Sequence, residues 1–431
     1  MVSKQTPLIL HVWMFGTRVL ALPIALASRM LHRRMGADPE RFSERLGYGA
    51  THHDGRVIWF HAASLGEVMQ VAPLADRLAR TERSAILVTT ATATGADWVA
   101  THMPNAMHRY APIDTPAAVR RFLDGWPIWA AIFVEGDLWP RLIDGLDKRD
   151  IPRILLNARD SRTRARLPRV FKALLAAFSL ITCRSAAVAA SLKALGVPPA
   201  RIHVLPDLRL TLPKLPVAKT ALDEMTRAIG TRPVWLAAST HPADEEAVLA
   251  AHQTVRDHAP DSLLIIAPRH PRRGDPLQSA AEARGLTTAR RSRGETMTND
   301  TQVYIADTIG ELGMFFSLAP IAFMGGSFGQ EGGHNPYEPA NFETALVHGP
   351  HVKNFVGAYG ALRAAGAALE VKTPETLGQV IVGLTHDDRA KTMAHAGLAF
   401  MNEAQDSIAT YAALVSNVLR QSGGSGPTST I

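Results

Sequence analysis

Two series of short apolar runs, each alternating with segments of helix length, constrain this 431-residue chain more than any other feature. The first series occupies residues 57–61, 85–90, 128–134, 153–157 and 180–182. The second occupies 234–238, 263–267, 303–306, 321–324 and 346–348. Runs this short between helical stretches predict parallel strands covered by helices on both faces. The expected fold class is α/β, with two doubly wound, Rossmann-like lobes facing across a cleft. Ligands of such sheets bind beyond the carboxyl ends of the strands.

The organisation follows from the text between the runs. Residues 1–50 form an N-terminal segment, 51–205 the first lobe, and 206–219 a linker carrying Pro206, Pro213 and Pro216. Residues 220–420 form the second lobe with its C-terminal helices, and 421–431, rich in Gly, Ser and Thr, are expected to be a disordered tail. A hydrophobic share of 46% excludes disorder over most of the length, and a single cysteine, Cys183, excludes a disulfide framework. Residues 7–30 are apolar enough to engage a membrane, yet hold His11, Arg18 and Pro23. A span, a helix lying in the interface and a soluble core helix all remain open, and membrane association is the expectation. Arg29, Arg33, Arg34, Arg41 and Arg45 follow and suit an anionic cytoplasmic leaflet.

Net charge is +7, and it is uneven: residues 151–214 hold twelve Lys/Arg against two Asp/Glu. That surplus points to an anionic partner, with a merely solvated face as the alternative. Aromatic residues make up 6% and do not interleave with the arginines, which argues against single-stranded nucleic acid.

Four loops after expected strands carry reactive residue types. In His61-Ala62-Ala63-Ser64-Leu65-Gly66-Glu67, Ser64 can cap a helix and Glu67 stands three residues on, as in a capping box. Glu67 also suits a general base, and spacing alone leaves both readings open. Glu135-Gly136-Asp137-Leu138-Trp139-Pro140 presents two carboxylates without the further oxygen ligands a metal pair needs. Ser239-Thr240-His241-Pro242 and Pro268-Arg269-His270-Pro271 place hydroxyls, imidazoles and a guanidinium where a phosphate or carboxylate can bind; either histidine could equally be a satisfied loop residue. Gly325-Gly326-Ser327-Phe328-Gly329 and Gly332-Gly333-His334-Asn335-Pro336-Tyr337-Glu338-Pro339 match neither a Walker loop nor the Rossmann fingerprint. Their glycines would let backbone amides approach a nucleotide anion, with a tight ligand-free turn as the alternative.

Taken in order, these motifs, with Asn157-Ala158-Arg159 and Asp307-Thr308-Ile309-Gly310-Glu311-Leu312, resemble the family of 3-deoxy-D-manno-octulosonic acid (Kdo) transferases of lipopolysaccharide synthesis. The likeness runs from about Arg41 to Lys353 and more weakly beyond. It implies a metal-independent, inverting glycosyltransferase of GT-B architecture, moving Kdo from CMP-Kdo to the 6′-hydroxyl of a lipid A precursor at the cytoplasmic face of the inner membrane. No cofactor is implied, since CMP-Kdo is a co-substrate, and the partners are donor, phosphorylated acceptor and an anionic membrane, not nucleic acid. Glu67 is then the catalytic base, with Asp137 as the second catalytic candidate. The implied donor site comprises Ser239, Thr240, His241, Arg269 on the phosphate, His270, and Asp307, Gly310, Glu311 and Leu312 near the cytosine. Gly326, Ser327, Asn335 and Glu338 complete it, Glu338 on the ribose.

The chain departs from the family pattern in three places. Glu135-Gly136-Asp137 replaces Glu-Thr-Glu, Pro206-Asp207-Leu208-Arg209 replaces Gly-Asn-Leu-Lys, and Ser161-Arg162-Thr163 only approximates Ser-x-Arg-Ser. Two other readings compete: a GT-B enzyme using another nucleotide sugar and lipid acceptor, and a non-catalytic basic binding protein. Glu67, Asp137 and Glu338 argue against the latter, because carboxylates repel phosphate backbones.

Overall fold

The computed structural model describes residues 7–51, 53–211 and 214–422. The chain divides into two compact units, Met1–Leu212 with Ala404–Ile431, and Pro213–Glu403.

The first unit is built on seven parallel strands: β1 (Val57–His61), β2 (Ala85–Thr90), β3 (Ala106–Tyr110), β4 (Ile128–Val134), β5 (Arg153–Ala158), β6 (Leu180–Cys183) and β7 (Ile202–Val204). Their spatial order is β3-β2-β1-β4-β5-β6-β7. Because strand side chains alternate, β1 feeds two cores. Val57 and Trp59 join Phe122, Phe133 and Phe178 on one face, while Ile58 and Phe60 join Val68, Val71, Leu74 and Leu78 of the Leu65–Glu82 helix on the other. Trp59 meets Phe122 edge-on with ring centroids 4.9 Å apart, a favoured aromatic geometry.

The second unit repeats the plan with β8 (Val234–Thr240), β9 (Leu263–Pro268), β10 (Thr288–Arg290), β11 (Val303–Ile305), β12 (Ile321–Met324), β13 (Ala345–His348) and β14 (Ala368–Glu370). The order is β10-β11-β9-β8-β12-β13-β14, again all parallel. Its core gathers Trp235, Leu264, Ile266, Phe323 and Val347 from the sheet with Val248 and Ile381 from helices Pro242–His258 and Leu377–His386. Each unit is thus a doubly wound α/β layer structure, as expected.

All ten expected strands are present. The four that sequence reading did not anticipate, β3, β7, β10 and β14, are the two outermost strands of each sheet. Interior parallel strands are covered on both faces and read as continuous apolar runs, whereas edge strands are short and half exposed. His108-Arg109 in β3 and His203 in β7 break the apolar pattern.

The domain limits differ from expectation at two points. Residues 208–211 of the expected linker form a 3₁₀ turn whose Leu208 and Leu210 are buried, so this part belongs to the first unit. The end of the long helix Arg389–Ser422 was expected in the second lobe. Instead Tyr411, Ala412, Val415 and Leu419 pack into the first unit's core, and the Tyr411 hydroxyl donates to the Pro206 carbonyl at 2.8 Å. Of the expected disordered tail, Gln421 and Ser422 end this helix, and 423–431 lie outside the described residues.

The N-terminal segment forms helices Leu8–Val19 and Ala21–Arg34, bent by 80° to one another. Among the described residues no single helix is long and apolar enough to cross a membrane. Pro23 cannot donate to the carbonyl of Val19, and the first helix ends there. Polar contacts hold the pair to its unit: Trp13 Nε1 donates to Asp114 (2.6 Å), and the Arg141 guanidinium donates to Thr17 Oγ1 and to the Met14 carbonyl. Leu8, Val12, Phe15, Val19, Leu22, Leu26 and Met30 stay exposed.

Candidate functional site

In each sheet the winding reverses once, between β1 and β4 in the first and between β8 and β12 in the second. These switch points open a crevice at the carboxyl ends of the strands. The loops that leave them are those carrying Glu67, Asp137, His241 and the glycine run.

Glu67 is the third residue of helix Leu65–Glu82, whose N-cap is Ser64. Its amide donates to Ser64 Oγ (3.4 Å), while its carboxylate accepts from the Ser64 hydroxyl (3.2 Å) and from the Ala63 amide (2.8 Å). The capping interaction is therefore real, with the returning bond one residue earlier than in the usual box. Burial pushes the Glu67 carboxyl up, and the nearby carboxylates of Glu135 and Asp137 push it further, against the pull of the Ala63 amide and His61. A carboxylate raised toward neutrality is a better proton acceptor.

Asp137 behaves oppositely. Burial works to raise it, but hydrogen bonds from His61 and Trp139 hold it below the usual carboxylate range. His61 Nε2 lies 3.1 Å from Asp137 Oδ2, and its Nδ1 lies 3.0 Å from Thr89 Oγ1. The two carboxyls are thus driven apart, Glu67 upward and Asp137 downward, which leaves Glu67 the one better suited to take up a proton.

Behind them runs a buried polar chain. Gln70 donates to Glu135 (3.3 Å), Asn157 donates to Gln70 (2.7 Å) and to Asp207 (3.0 Å), and Asp207 accepts from Arg184 and Arg209. Burial would raise Asp207, but the Arg209 guanidinium holds it below its ordinary value. Glu135 and Asn157 both have positive φ, 58° and 55°, a strain that recurs at functional turns. Asp207, a departure from the family pattern, is thus integrated into the first unit.

In the second unit the glycine run differs from expectation. The amides of Gly326 (2.7 Å), Ser327 (3.3 Å) and Phe328 (3.0 Å) do not face an open anion pocket; they donate to the fully buried carboxylate of Asp244, which also accepts from the His241 amide (3.0 Å). Ser327 itself is buried, donating to the Met324 carbonyl (2.6 Å) and accepting from the Gly349 amide (2.9 Å). Its hydroxyl is a brace for the loop rather than a free ligand group. Gly326 supplies the positive φ of 65° that the turn requires.

The loop's far end carries the open chemistry. His334 stacks on His241 with ring centroids 5.1 Å apart and facing Nε2 atoms 2.9 Å apart. Burial, aided by His241 and Arg269, pushes His334 down to about 4, so His334 is neutral at pH 7. His270 meets His241 edge-on at 5.9 Å. Arg269 and His270 are exposed, and among the described residues the Arg269 side chain has no hydrogen bond or ion pair. Thr240 Oγ1 is buried without a hydrogen-bond partner among the described residues, and Ser239 takes a positive φ of 54° at the end of β8. Glu338 is raised by burial, opposed by Asn335 at 3.4 Å and by the charge of Arg269.

The Asp307–Leu312 loop also departs from expectation. Asp307 is buried, binding the Arg290 guanidinium, the Ser292 amide (3.0 Å) and the Ser292 hydroxyl (2.8 Å). Glu311 is paired with Arg291 (2.6 Å). Both carboxylates are thus spent inside the fold, and the accessible part is the turn at Ile309 and Gly310, with Leu312 half-buried. Sequence reading passed over His61, Gln70, Asp244 and His334 as actors. His61 and His334 stood inside quoted motifs, but their partners are 76 and 93 positions away.

Residues 40–212 match the family described as 3-deoxy-D-manno-octulosonic-acid transferase (kdotransferase). A probable mitochondrial 3-deoxy-D-manno-octulosonic acid transferase of Arabidopsis thaliana is 36% identical over 73% of this chain and 74% of its own length. The 3-deoxy-D-manno-octulosonic acid transferase of Haemophilus influenzae is 31% identical over 84% and 88% respectively. In fold, the chain is similar to a glycosyltransferase from Rickettsia africae (TM-score 0.58, 10% identity, 87% of this chain and 100% of that one). It is also similar to MurG of Acinetobacter baumannii (TM-score 0.50, 15% identity, 83% and 99%). Two Rossmann-like units, a GT-B glycosyltransferase likeness and relatives above 30% identity across most of the length converge: the chain belongs to the 3-deoxy-D-manno-octulosonic acid transferase family.

Proposed function

We propose that this glycosyltransferase moves Kdo from CMP-Kdo to the 6′-hydroxyl of a lipid A precursor of the lipid IV-A type, with inversion and without a metal ion. The observation that carries this reading is the placement of the Glu67 carboxylate at the first sheet's switch point, bound by the Ala63 amide and the Ser64 hydroxyl, in a unit where His61 holds Asp137. Burial raises Glu67 while the His61 contact lowers Asp137. In the proposed step the acceptor hydroxyl oxygen bonds to the anomeric carbon as the bond to the CMP phosphate oxygen breaks. The hydroxyl proton passes to Glu67, and CMP departs with the electron pair. Attack from the face opposite the leaving group inverts the centre. The exposed Arg269 guanidinium and the neighbouring His241–His334 pair are the groups proposed to stabilise the departing phosphate, the role a metal has in other transferases.

The exposed apolar face of the two N-terminal helices, with Arg29, Arg33 and Arg34 beside it, supports docking on an anionic membrane at the cytoplasmic side of the inner membrane. The test is transfer to a bisphosphorylated tetraacyl glucosamine disaccharide in chelator-containing buffer, with CMP-Kdo and UDP-sugars offered in parallel. Release of CMP with mass-resolved addition of Kdo, and an inverted anomeric configuration by NMR, is the expected result. UDP release without CMP release overturns the donor assignment, and loss of activity in chelator overturns metal independence.

A further inference from the structure

Arg164 is 4% exposed, yet its Nε and Nη1 have no hydrogen-bond partner among the described residues. It sits in the short helix Arg162–Arg166, its amide donating to the Ser161 hydroxyl at 3.0 Å. The guanidinium lies over the Phe171 ring at 5.9 Å, close to Cys183 at the end of β6. The nearest carboxylate in charge terms, Asp160, is exposed and makes no hydrogen bond to it. Burial pulls the guanidinium below its ordinary value.

A buried guanidinium with unused donors is costly, because desolvation is not offset by pairing. Buried arginines are ordinarily paired with carboxylates, as Arg290 is with Asp307 here. The third nitrogen of the same guanidinium, Nη2, is the one turned toward the Glu135–Asp137 loop: a Cβ on Gly136 would stand 3.8 Å from it. Gly136 carries no side chain there, and its φ of 148° disfavours one. This under-paired guanidinium therefore presents Nη2 beside the loop that bears Asp137, in the unit that holds the proposed base.

We infer that Arg164 binds an oxyanion of the acceptor, a phosphate monoester, beside the Gly136–Asp137 loop. This rests on the proposed transfer reaction. A phosphate offers several acceptor oxygens to a planar fork of donors, which a lysine cannot match bidentately. The twelve Lys/Arg against two Asp/Glu between residues 151 and 214 make this surface one that an anion approaches.

The test compares wild type, Arg164→Lys and Arg164→Met with the bisphosphorylated acceptor and with each monophosphorylated form. Arg164→Met is expected to raise the acceptor KM by roughly 10- to 100-fold, the range of one charge-assisted contact. The CMP-Kdo KM and the CMP-dependent rise in melting temperature should stay within about twofold of wild type. Arg164→Lys should fall between, and wild type should discriminate against one monophosphorylated form while the Met variant does not. An unchanged acceptor KM, or retained discrimination in the Met variant, overturns the inference. A rise confined to the CMP-Kdo KM assigns the oxyanion to the donor's carboxylate and overturns it too. If Arg164→Met does not fold, equal KM values of wild type for all three acceptors overturn it, and a selective loss with one supports it. Should wild type prove inactive with CMP-Kdo, the proposed function fails separately. Calorimetric binding of the bisphosphorylated disaccharide to wild type and Arg164→Lys then still reads this site, and equal affinities overturn it.

Discussion

His61 Nε2 lies 3.1 Å from Asp137 Oδ2, so one buried imidazole ties the end of β1 to the loop after β4. Trp59 Nε1 donates to Thr89 Oγ1 (2.9 Å), leaving the Thr89 hydroxyl hydrogen for His61 Nδ1. That arrangement puts the imidazole proton on Nε2, facing Asp137. His61→Ala is expected to free Asp137 and lower kcat by about tenfold or more, with CMP affinity unchanged. An unaltered kcat would reduce the imidazole to packing.

Glu67→Gln keeps size and capping oxygen but cannot take up the acceptor's proton usefully. Turnover should fall by about 10²–10⁴-fold. The stability sign is opposite: a carboxyl raised in the folded state costs stability once ionised, above its folded pKa, and costs none below the unfolded value of 4.5. The variant should therefore melt no lower than wild type at pH 8, with any gain vanishing as pH falls below that value. Near-normal transfer would move the base elsewhere.

If Glu67 is the base, as proposed, the acid limb of kcat/KM should lie above the ordinary glutamate value, because the carboxyl must be ionised to accept a proton and burial raises it. Asp137 contributes to that elevation by charge. In Asp137→Asn, whatever activity survives should show its acid limb shifted to lower pH. A shift in the other direction would contradict the electrostatic coupling.

Asp244→Ala strips one carboxylate from four backbone amides, those of His241, Gly326, Ser327 and Phe328. Each buried donor left unpaired costs about 1–3 kcal/mol, partly recovered by water. Denaturant unfolding should show a loss of at least about 3 kcal/mol, with weaker CMP binding because the loop that carries His334 loses its anchor. A loss under about 1 kcal/mol would mean the amides find other acceptors.

Replacing Leu8, Phe15 and Leu22 together by serine removes exposed apolar surface without touching Trp13, Thr17 or His32, which hold the helices to their unit. Sedimentation with anionic vesicles should weaken while CMP-Kdo binding stays constant. Undiminished sedimentation would locate the membrane contact elsewhere.

What the sequence reveals here depends on how local the determining interaction is. Interior strands such as β4 and β12 announce themselves because both faces are covered, and Ser64 with Glu67 announces a helix start because cap and partner are three residues apart. The glycine run reads from its composition as a cradle for a nucleotide anion, but its amides are taken up inside the fold. Its occupant is a carboxylate 82 positions upstream, which no local pattern reveals. Arg164 was invisible for a different reason. A basic stretch looks solvated until the fold shows that a member such as Arg164 is buried with two donor nitrogens lacking a hydrogen-bond partner among the described residues.

The helix that leaves the second unit and ends among Tyr411, Val415 and Leu419 sets an order of events during synthesis. The first unit's sheet is translated by residue 204, yet one of its two faces lacks those apolar residues until the chain is almost finished. Emerging from the ribosome, that half must wait through some two hundred residues with this core cluster incomplete. Nascent chains stalled before Ala404 should therefore be captured by holdase chaperones, and release of the full-length chain should abolish that capture.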